Sequence, residues 1–483
     1  MTGILVAGTS SDAGKSLVVT ALCRVARRRG IDVVPFKAQN MSNNSMVCPD
    51  GSEIGRAQYL QAAAAGVEPS SAMNPVLLKP GTDRRSHIVL RGRPGGVLEA
   101  GQYATGRRHL AQAAWAAHDE LVGSHDLVVC EGAGSPAEIN LRVGDYTNMG
   151  LARAKDLPVV LVGDIDRGGV LASLYGTWAL LDAEDRALLA GYVINKFRGD
   201  ESVLAPGLDE ITRRTGMPGL GVLPWLEQVW LDGEDALEVG RWRHEGEPED
   251  RDALRVAVVR FPRISNATDV DAMAAEAGVD VEVTTDPRVC QRADVLVLPG
   301  SRATVDDLDW MVGRGIGEVV ARRAEQGRPV LGVCGGYQML ARTIRDPHGQ
   351  ESARTRVAGL GLVPVEVTFG ADKTLATPSG SWRGIDVGGY EIHHGAMEVV
   401  GDAEPFLDGV HLGSVWGTMW HGAFECDEFR RAWLGQAARA AGSPWRPVPG
   451  AVGYQQRRES MIDALADAAE AHLDVDAILA LAR

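Results

Sequence analysis

The chain has 483 residues, of which 45% are hydrophobic and 23% charged, and its formal net charge is −15. This length exceeds what one core organises, so we expect about two or three domains, and the negative charge disfavours nucleic acid or an anionic membrane as a partner. The six cysteines form no C-x-x-C pair, which suits a cytoplasmic location better than a disulfide framework or a zinc site. No apolar run approaches the ~20 residues that span a bilayer, and the first residues lack the basic region of a signal peptide.

The first half of the chain alternates short apolar runs with helical stretches. Within each run the apolar residues follow one another without polar alternation, which is typical of a parallel sheet covered by helices on both faces. The predicted strands are residues 3–9, 32–38, 126–134, 158–165 and 191–197. Residues 1–230 are therefore predicted to form a doubly wound α/β domain.

A change of composition marks the end of this first domain. Residues 231–252 are acidic, polar and aperiodic, so we interpret them as a linker. Residues 253–483 are predicted to form a second doubly wound α/β domain, and the amphipathic helix of the C-terminal tail is expected to pack on it. The predicted strands of this domain are residues 254–261, 279–285, 295–300 and 328–334.

A phosphate-binding loop is predicted where the first strand meets the first helix, in the sequence GTSSDAGKS at residues 8–16. The glycines Gly8 and Gly14 let backbone N–H groups approach phosphate oxygens, and they are separated by five residues instead of the usual four. Lys15 would neutralise the β- and γ-phosphates of ATP, and the hydroxyl of Ser16 would ligate Mg²⁺. The alternative interpretation is a plain glycine-rich turn.

Polar side chains follow three further predicted strands of the first domain. Glu131 ends one strand, Asp164 and Asp166 end a second, and Asn195 ends a third. Ligands of open α/β sheets bind at the carboxyl ends of the strands, so Glu131 and Asp164 are candidate Mg²⁺ ligands. The aspartates could instead cap the next helix, and Asn195 could belong to a simple turn.

The spacing of the phosphate loop resembles that of the dethiobiotin synthetase family, whose loop reads G-T-x-x-x-x-G-K-[ST]. This resemblance implies that Thr9 belongs to the nucleotide site, that Glu131 helps to hold Mg²⁺, and that Asn195 recognises the nucleotide base. It also implies that Lys37 binds an anionic carboxylate of the substrate. Partition-type ATPases carry a signature lysine early in the loop, where this chain has Ser10.

A candidate nucleophile, Cys334, lies in the sequence LGVCGGYQML at residues 331–340. The pattern predicts a strand, a tight turn and a helix, which would lift the thiol clear of the sheet. Backbone N–H groups of the turn and of residues 298–301 could stabilise a tetrahedral oxyanion. A buried, unreactive cysteine is the alternative.

A thiol nucleophile needs a base, and three histidines are candidates: His393, His394 and His421. The pattern G-x-C-x-G-x-Q with a distant histidine resembles the class I glutamine amidotransferase family. The resemblance implies that Cys334 takes the γ-glutamyl group of glutamine, that ammonia leaves, and that His421 is the base. Family members continue His-x-Glu, but this chain has Ala423 at that position, and Glu425 is a possible substitute.

Four stretches resemble signatures of the cobyric acid synthase family: residues 36–45, 145–150, 163–170 and 389–395. The resemblance implies ATP- and glutamine-dependent amidation of the b, d, e and g carboxylates of adenosylcobyrinic acid a,c-diamide in cobalamin biosynthesis. The reaction would pass through acyl phosphates, with ammonia released at Cys334. Four side chains are predicted to bind this corrinoid acid: Lys37, Asn40, Asn43 and Asn44. The asparagines could instead form a solvated loop.

Two other functions stay open at this stage. Cobyrinic acid a,c-diamide synthase combines the same two domain types but generally lacks the asparagine-rich run of residues 37–45. A nucleotide-switched regulator related to the partition ATPases is the second alternative, and Cys334, His421 and Ser10 argue against it. The predicted partners are a corrinoid acid and glutamine, without nucleic acid or membrane insertion.

Overall fold

The computed structural model describes residues 3–82, 85–99, 107–230 and 252–482. These residues form a first lobe, residues 3–230, a second lobe, residues 252–453, and a C-terminal tail, residues 454–482. All but the last residue of the predicted linker 231–252 lie outside the described residues. Within the described part of the chain, no helix has both the length and the apolar character required to cross a membrane.

The first lobe contains a parallel sheet, a smaller mixed sheet and a separate hairpin. Its strands are β1 (Gly3–Gly8), β2 (Val33–Phe36), β3 (Gln39–Met41), β4 (Ser45–Val47), β5 (Glu53–Gly55), β6 (Val76–Thr82), β7 (Arg85–Leu90), β8 (Arg93–Glu99), β9 (Leu127–Glu131), β10 (Val159–Asp164), β11 (Leu189–Phe197) and β12 (Gly219–Pro224). Its helices are α1 (Lys15–Arg28), α2 (Arg56–Ala65), α3 (Arg108–Val122), α4 (Met149–Lys155), α5 (Val170–Leu180), α6 (Ala183–Arg186) and α7 (Glu201–Thr215).

The six parallel strands of the first lobe are arranged in the order β12-β11-β10-β1-β9-β2. The five strands predicted for this lobe are confirmed, because their continuous apolar runs are buried on both faces of the sheet. The phosphate loop, Glu131, Asp164 and Asn195 all lie at or just beyond the carboxyl ends of strands in this sheet.

The short strands β3, β4 and β5, between β2 and β9, carry no clear sequence signal. Strand β3 pairs with β6 in the four-stranded sheet β3-β6-β7-β8, and β4 and β5 form an antiparallel hairpin. Strands of three residues that contain buried polar side chains show neither apolar runs nor strict alternation, so periodicity does not reveal them.

The second lobe has a seven-stranded sheet and a four-stranded sheet. Its strands are β13 (Leu254–Val259), β14 (Ile264–Ser265), β15 (Val279–Thr284), β16 (Val295–Leu298), β17 (Gly300–Ser301), β18 (Val330–Val333), β19 (Thr343–Arg345), β20 (Arg356–Ala358), β21 (Val365–Ala376), β22 (Ser379–Trp382), β23 (Ile385–Gly388), β24 (Glu391–Val399), β25 (Glu404–Phe406), β26 (Gly409–Leu412) and β27 (Val415–Thr418). The helices of this lobe and the tail are α8 (Asp271–Ala274), α9 (Pro287–Arg292), α10 (Thr304–Gly313), α11 (Ile316–Glu325), α12 (Gly335–Leu340), α13 (Asp427–Ala441), α14 (Tyr454–His472) and α15 (Val475–Leu481).

The large sheet of the second lobe has the order β15-β13-β16-β18-β27-β26-β25. Its first five strands are parallel, and β26 and β25 continue it in antiparallel fashion. The four predicted strands of this lobe are confirmed, and so is the α/β class of both lobes. A second sheet, β20-β19-β21-β24, packs into the same apolar core.

The C-terminal tail packs on the first lobe, contrary to the expectation that it would pack on the second domain. Buried residues of α14, among them Ile462 and Leu465, join the apolar cluster formed by α1 and the first sheet. At the edge of this contact Arg24 pairs with Glu459. The amphipathic pattern of α14 shows that one face is buried, but it does not show against which surface.

We predict that Leu465→Ala lowers the free energy of unfolding of the first lobe by about 2–5 kcal/mol, because it removes a buried leucine side chain from this contact. The exposed neighbour Ala464 provides a control, since Ala464→Ser should cost less than about 1 kcal/mol. Thermal or urea unfolding measures both. Equal effects would contradict the docking of the tail.

Candidate active site

The phosphate loop connects β1 to α1 through a short 3₁₀ turn, residues 11–13. Gly14 has a φ of 95°, and a Cβ atom there would lie 1.9 Å from Nδ2 of Asn195, so only glycine fits. The ammonium group of Lys15 donates to the carbonyl oxygens of Ser10, at 3.0 Å, and Ser11, at 2.7 Å. The lysine thus folds back over the loop, where a nucleotide phosphate would lie.

Glu131 is fully buried beneath the loop and accepts three hydrogen bonds. Its Oε1 accepts from Ser16 Oγ at 2.8 Å and from Lys37 Nζ at 2.8 Å, and its Oε2 accepts from Gln61 Nε2 at 2.6 Å. Burial alone would raise the pKa of Glu131, but the charge of Lys37 and these hydrogen bonds lower it below its ordinary value. The carboxylate is therefore ionised at neutral pH.

The pair of Ser16 and Glu131 fits the requirements of Mg²⁺. A hydroxyl and an ionised carboxylate lie together at the first turn of α1, and Mg²⁺ commonly uses one or two such protein ligands with phosphate oxygens and water. The described residues contain no cluster of three or more His, Cys, Asp or Glu side chains that could hold a metal alone.

Asp164 and Asn195 brace the loop from neighbouring strand ends. Asp164 Oδ2 accepts from Lys196 Nζ at 2.8 Å, and the same ammonium group donates to the carbonyl oxygen of Asp12 at 2.8 Å. Asn195 Nδ2 donates to the carbonyl oxygen of Ala13 at 3.0 Å. The backbone N–H of Thr9 donates to the carbonyl oxygen of Val162, which ties the start of the loop to β10. These contacts fix the shape of the loop.

A cavity of about 770 Å³ opens between the two lobes beside the phosphate loop. Lys15 lines it on the first lobe, and Phe261 and Trp310 line it on the second lobe. The cavity wall also carries four arginines: Arg107, Arg142, Arg260 and Arg263. The cavity therefore offers cationic groups to an anionic ligand, although the whole chain is acidic.

The four predicted substrate ligands are not all at this cavity. Asn43 lines it, with its Nδ2 3.4 Å from the carbonyl oxygen of Pro80. Lys37 instead binds Glu131, and Asn40 Nδ2 donates to Gln58 Oε1 at 3.0 Å. Asn44 lies against the second lobe, where its Oδ1 accepts from the backbone N–H of Ala267.

Cys334 occupies the sharp turn between β18 and α12, as predicted. Its φ of 49° and ψ of −111° are unusual for a residue with a side chain, and strain of this kind is typical of a nucleophile held at an elbow. The two glycines that follow are required by space, because a Cβ at Gly335 would lie 2.7 Å from Ser301 N and one at Gly336 would lie 1.9 Å from Leu298 O.

His421 is fully buried and is held by Asp269, a residue that the sequence analysis did not identify. Its Nδ1 lies 2.7 Å from Asp269 Oδ2, and Asp269 Oδ1 accepts from the backbone N–H of Gly422 at 2.9 Å. Burial would lower the pKa of His421, but the charges of Asp269 and Cys334 raise it to about 10. The imidazole is therefore held as a cation beside the sulfur.

Two other residues that the sequence offered as partners of Cys334 or His421, Glu425 and His394, have different neighbours. Glu425 pairs with Arg56 at 2.7 Å and with Arg458 at 3.2 Å, so it does not orient His421. Asp269 lies 152 positions away from His421 in the sequence and belongs to no spacing motif, so only its place after β14 could have indicated it. His394 has a pKa lowered to about 4 by burial and by the nearby cations Arg302 and Lys373.

Comparisons with known proteins agree with this geometry. A model described as a CobQ/CobB/MinD/ParA nucleotide binding domain matches residues 4–238, which include the phosphate loop. A model described as a CobB/CobQ-like glutamine amidotransferase domain matches residues 255–429, which include the cysteine, the histidine and the aspartate.

Full-length relatives match both domains together. A cobyric acid synthase of Cutibacterium acnes is 78% identical over 484 residues and covers 100% of both chains. Cobyric acid synthases of Mycolicibacterium gilvum and Mycobacterium ulcerans are 55% and 53% identical over 487 residues, covering 100% of this chain and 97% of each relative.

We predict that Asp269→Asn lowers kcat for glutamine hydrolysis by about a hundredfold or more, because the imidazole loses its orienting carboxylate. Asp269 raises the pKa of His421, so removing its charge lowers that pKa, and the imidazolium is lost at lower pH. The alkaline limb of the kcat–pH profile should therefore move to lower pH. A profile with an unchanged alkaline limb would contradict this role of Asp269.

Proposed function

Because the chain belongs to the cobyric acid synthase family, we propose that it amidates the b, d, e and g carboxylates of adenosylcobyrinic acid a,c-diamide to give adenosylcobyric acid. The nitrogen comes from glutamine and the driving force from ATP. The observation that carries the proposal is the shared cavity, since the phosphate loop of one lobe and the wall of the glutaminase lobe face the same space. We assign ATP-dependent activation to residues 1–230 and glutamine hydrolysis to residues 253–483.

Glutamine hydrolysis begins at Cys334. Its thiolate attacks the side-chain amide carbon of glutamine, and backbone N–H groups of the elbow stabilise the oxyanion. The imidazolium of His421 donates a proton to the departing nitrogen, so ammonia leaves and a γ-glutamyl thioester forms. Water, deprotonated by the now neutral imidazole, then attacks the thioester, which releases glutamate and restores the thiolate and the imidazolium.

Carboxylate activation takes place at the phosphate loop. A carboxylate oxygen of the corrinoid acid attacks the γ-phosphorus of ATP, ADP leaves, and an acyl phosphate forms. Lys15 offsets the charge that the transferred phosphoryl group carries. Ser16 and Glu131 would hold Mg²⁺, which when bound neutralises further phosphate charge. Ammonia then attacks the acyl carbon, and phosphate leaves with the formation of the amide.

The distance that ammonia must cross is short in this arrangement. Ile264 of β14 lines the cavity, and the next residue, Ser265, packs against Gly300. A Cβ at Gly300 would lie 2.7 Å from Ser265 O and 3.1 Å from His421 Cε1. One strand therefore separates the glutaminase centre from the cavity, which supports direct transfer of ammonia.

Corrinoid recognition is proposed to involve both lobes. Guanidinium groups suit the several carboxylates of a corrinoid acid, and Arg260 and Arg263 bring them from the second lobe. Asn43 offers an amide that can donate to acids and accept from amides, which suits a substrate whose side chains change from one to the other.

We predict that Cys334→Ser abolishes glutamine-dependent synthesis and retains synthesis from a high concentration of ammonium chloride. Lys15→Ala should remove both syntheses and retain glutamine hydrolysis. ADP release with glutamine, ADP release with ammonium chloride, and glutamate release measure the three activities separately. Loss of ammonia-dependent synthesis in a folded Cys334→Ser variant would contradict the division of the reaction between two centres.

We predict that Arg260→Ala raises KM for the corrinoid acid about tenfold, with glutamine and with ammonium chloride alike, because one cation of the cavity is lost. Arg255→Ala, at an exposed position of β13 outside the cavity lining, serves as the control and should leave KM unchanged. Mass spectrometry of the product counts the amidations, each of which lowers the mass by about one unit when NH₂ replaces OH. An unchanged KM in Arg260→Ala would contradict the assignment of the cavity.

A further inference from the structure

One stretch of the first lobe, residues 44–56, contacts the second lobe around His421. We call it the interlobe hairpin, because it consists of β4, β5 and their flanking residues. The residues that precede it, Gln39 and Met41–Asn43, line the cavity between the lobes. One short segment of the chain therefore borders the corrinoid cavity and reaches the glutaminase centre.

The first contact is a reciprocal pair of hydrogen bonds between buried residues. The backbone N–H of Ser45 donates to Asn266 Oδ1 at 2.9 Å, and the backbone N–H of Ala267 donates to Asn44 Oδ1 at 3.2 Å. Asn44, Ser45, Asn266 and Ala267 are each at most 3% exposed. Breaking one of these bonds would leave a buried amide without its partner, which is costly.

This pair fixes the turn that carries Asp269. Asn266 begins the 3₁₀ turn of residues 267–270, and its carbonyl oxygen accepts from the backbone N–H of Asp269 at 3.1 Å. Asp269 in turn holds Nδ1 of His421 at 2.7 Å. A chain of four hydrogen-bonded residues thus runs from Ser45 of the first lobe to the imidazole.

A second contact lies on the face of the imidazole ring. The ring of Tyr390 stacks on His421, with 5.3 Å between the ring centres and an angle of 26° between the planes. Tyr390 also packs against Met46 and Val47 of the hairpin in a small apolar cluster. Further along the hairpin, Glu53 pairs with Lys373 of the second lobe. The hairpin therefore supports His421 through Asp269 at Nδ1 and through Tyr390 on the ring face.

We propose that the interlobe hairpin positions His421, so that residues of the ATP-dependent lobe set the rate of glutamine hydrolysis. Asn44, Ser45 and Asn266 are positioning residues in this account, because they act on the imidazole through Asp269 and contact neither glutamine nor sulfur. The inference rests on the proposed roles of Cys334 and His421 in glutamine hydrolysis.

Asn266→Gly tests this contact in the full-length protein. Asn266 has a φ of 48°, which glycine adopts without strain, so the variant removes the acceptor and keeps the backbone. We expect kcat for glutamine hydrolysis to fall about tenfold, the scale of one lost buried hydrogen bond, with KM for glutamine changed less than about twofold. Asn266→Asp retains an acceptor oxygen and tolerates this backbone conformation, so it should restore most of kcat.

Asn44→Ala tests the same contact from the first lobe. If Asn44 positions the turn of Asp269, kcat for glutamine hydrolysis falls, and ammonia-dependent synthesis keeps its KM for the corrinoid acid. If Asn44 instead binds the corrinoid acid, that KM rises and glutamine hydrolysis is unchanged, and the inference is overturned. Ammonia-dependent synthesis also reports that each variant is folded.

Two controls separate this inference from the proposed function. Glu459→Gln weakens a different contact of the first lobe, between α1 and α14, and should leave glutamine hydrolysis unchanged. If Asn266→Gly keeps the kcat of the unaltered protein while Cys334→Ser abolishes hydrolysis, the inference fails and the proposed function stands. If Cys334→Ser retains glutamine hydrolysis, both fail.

Discussion

Ammonia attacks an acyl phosphate only while it is unprotonated, and neutral water protonates it. An enzyme that frees ammonia at one centre and uses it at another must therefore keep the two centres close and shielded. In this chain neighbouring residues of β14 border the two places, because Ile264 lines the cavity and Ser265 lies beside Gly300, close to His421. The tail docks on the first lobe, and a small apolar cluster that contains Met46, Val47 and Tyr390 joins the two lobes near His421.

Each lobe also holds a buried carboxylate, Glu131 in the first and Asp269 in the second, beside its reactive groups. Beneath the phosphate loop, Glu131 accepts hydrogen bonds from Ser16, Lys37 and Gln61. Beside the thiol, Asp269 is hydrogen-bonded to His421 and to the backbone N–H of Gly422. Each buried carboxylate accepts hydrogen bonds from more than one partner, which fixes the positions of those partners. The interlobe hairpin contacts the second lobe beside the network of Asp269.

Local patterns in the sequence were sufficient for most parallel strands of the two main sheets and for the places of the reactive groups. Continuous apolar runs predicted nine parallel strands, and the glycine-rich turns predicted the positions of Lys15 and Cys334. What the sequence could not show is which surfaces meet. Asp269 reaches His421 across 152 positions, Asn44 accepts from the backbone N–H of Ala267 in the other lobe, and α14 packs on the first lobe. Such contacts depend on how whole helices and strands pack against one another, and no short sequence motif specifies that packing.

The central claim is that ammonia passes directly from Cys334 to the cavity. It is tested most directly with glutamine that carries ¹⁵N at its side-chain amide, in a reaction that also contains excess unlabelled ammonium chloride. Mass spectrometry of the corrinoid product measures how much label the new amides contain. Direct passage across β14 predicts that the new amides keep the label although unlabelled ammonium is in excess. Dilution of the label to the ratio present in the solution would show that ammonia escapes to bulk water, and it would contradict the account.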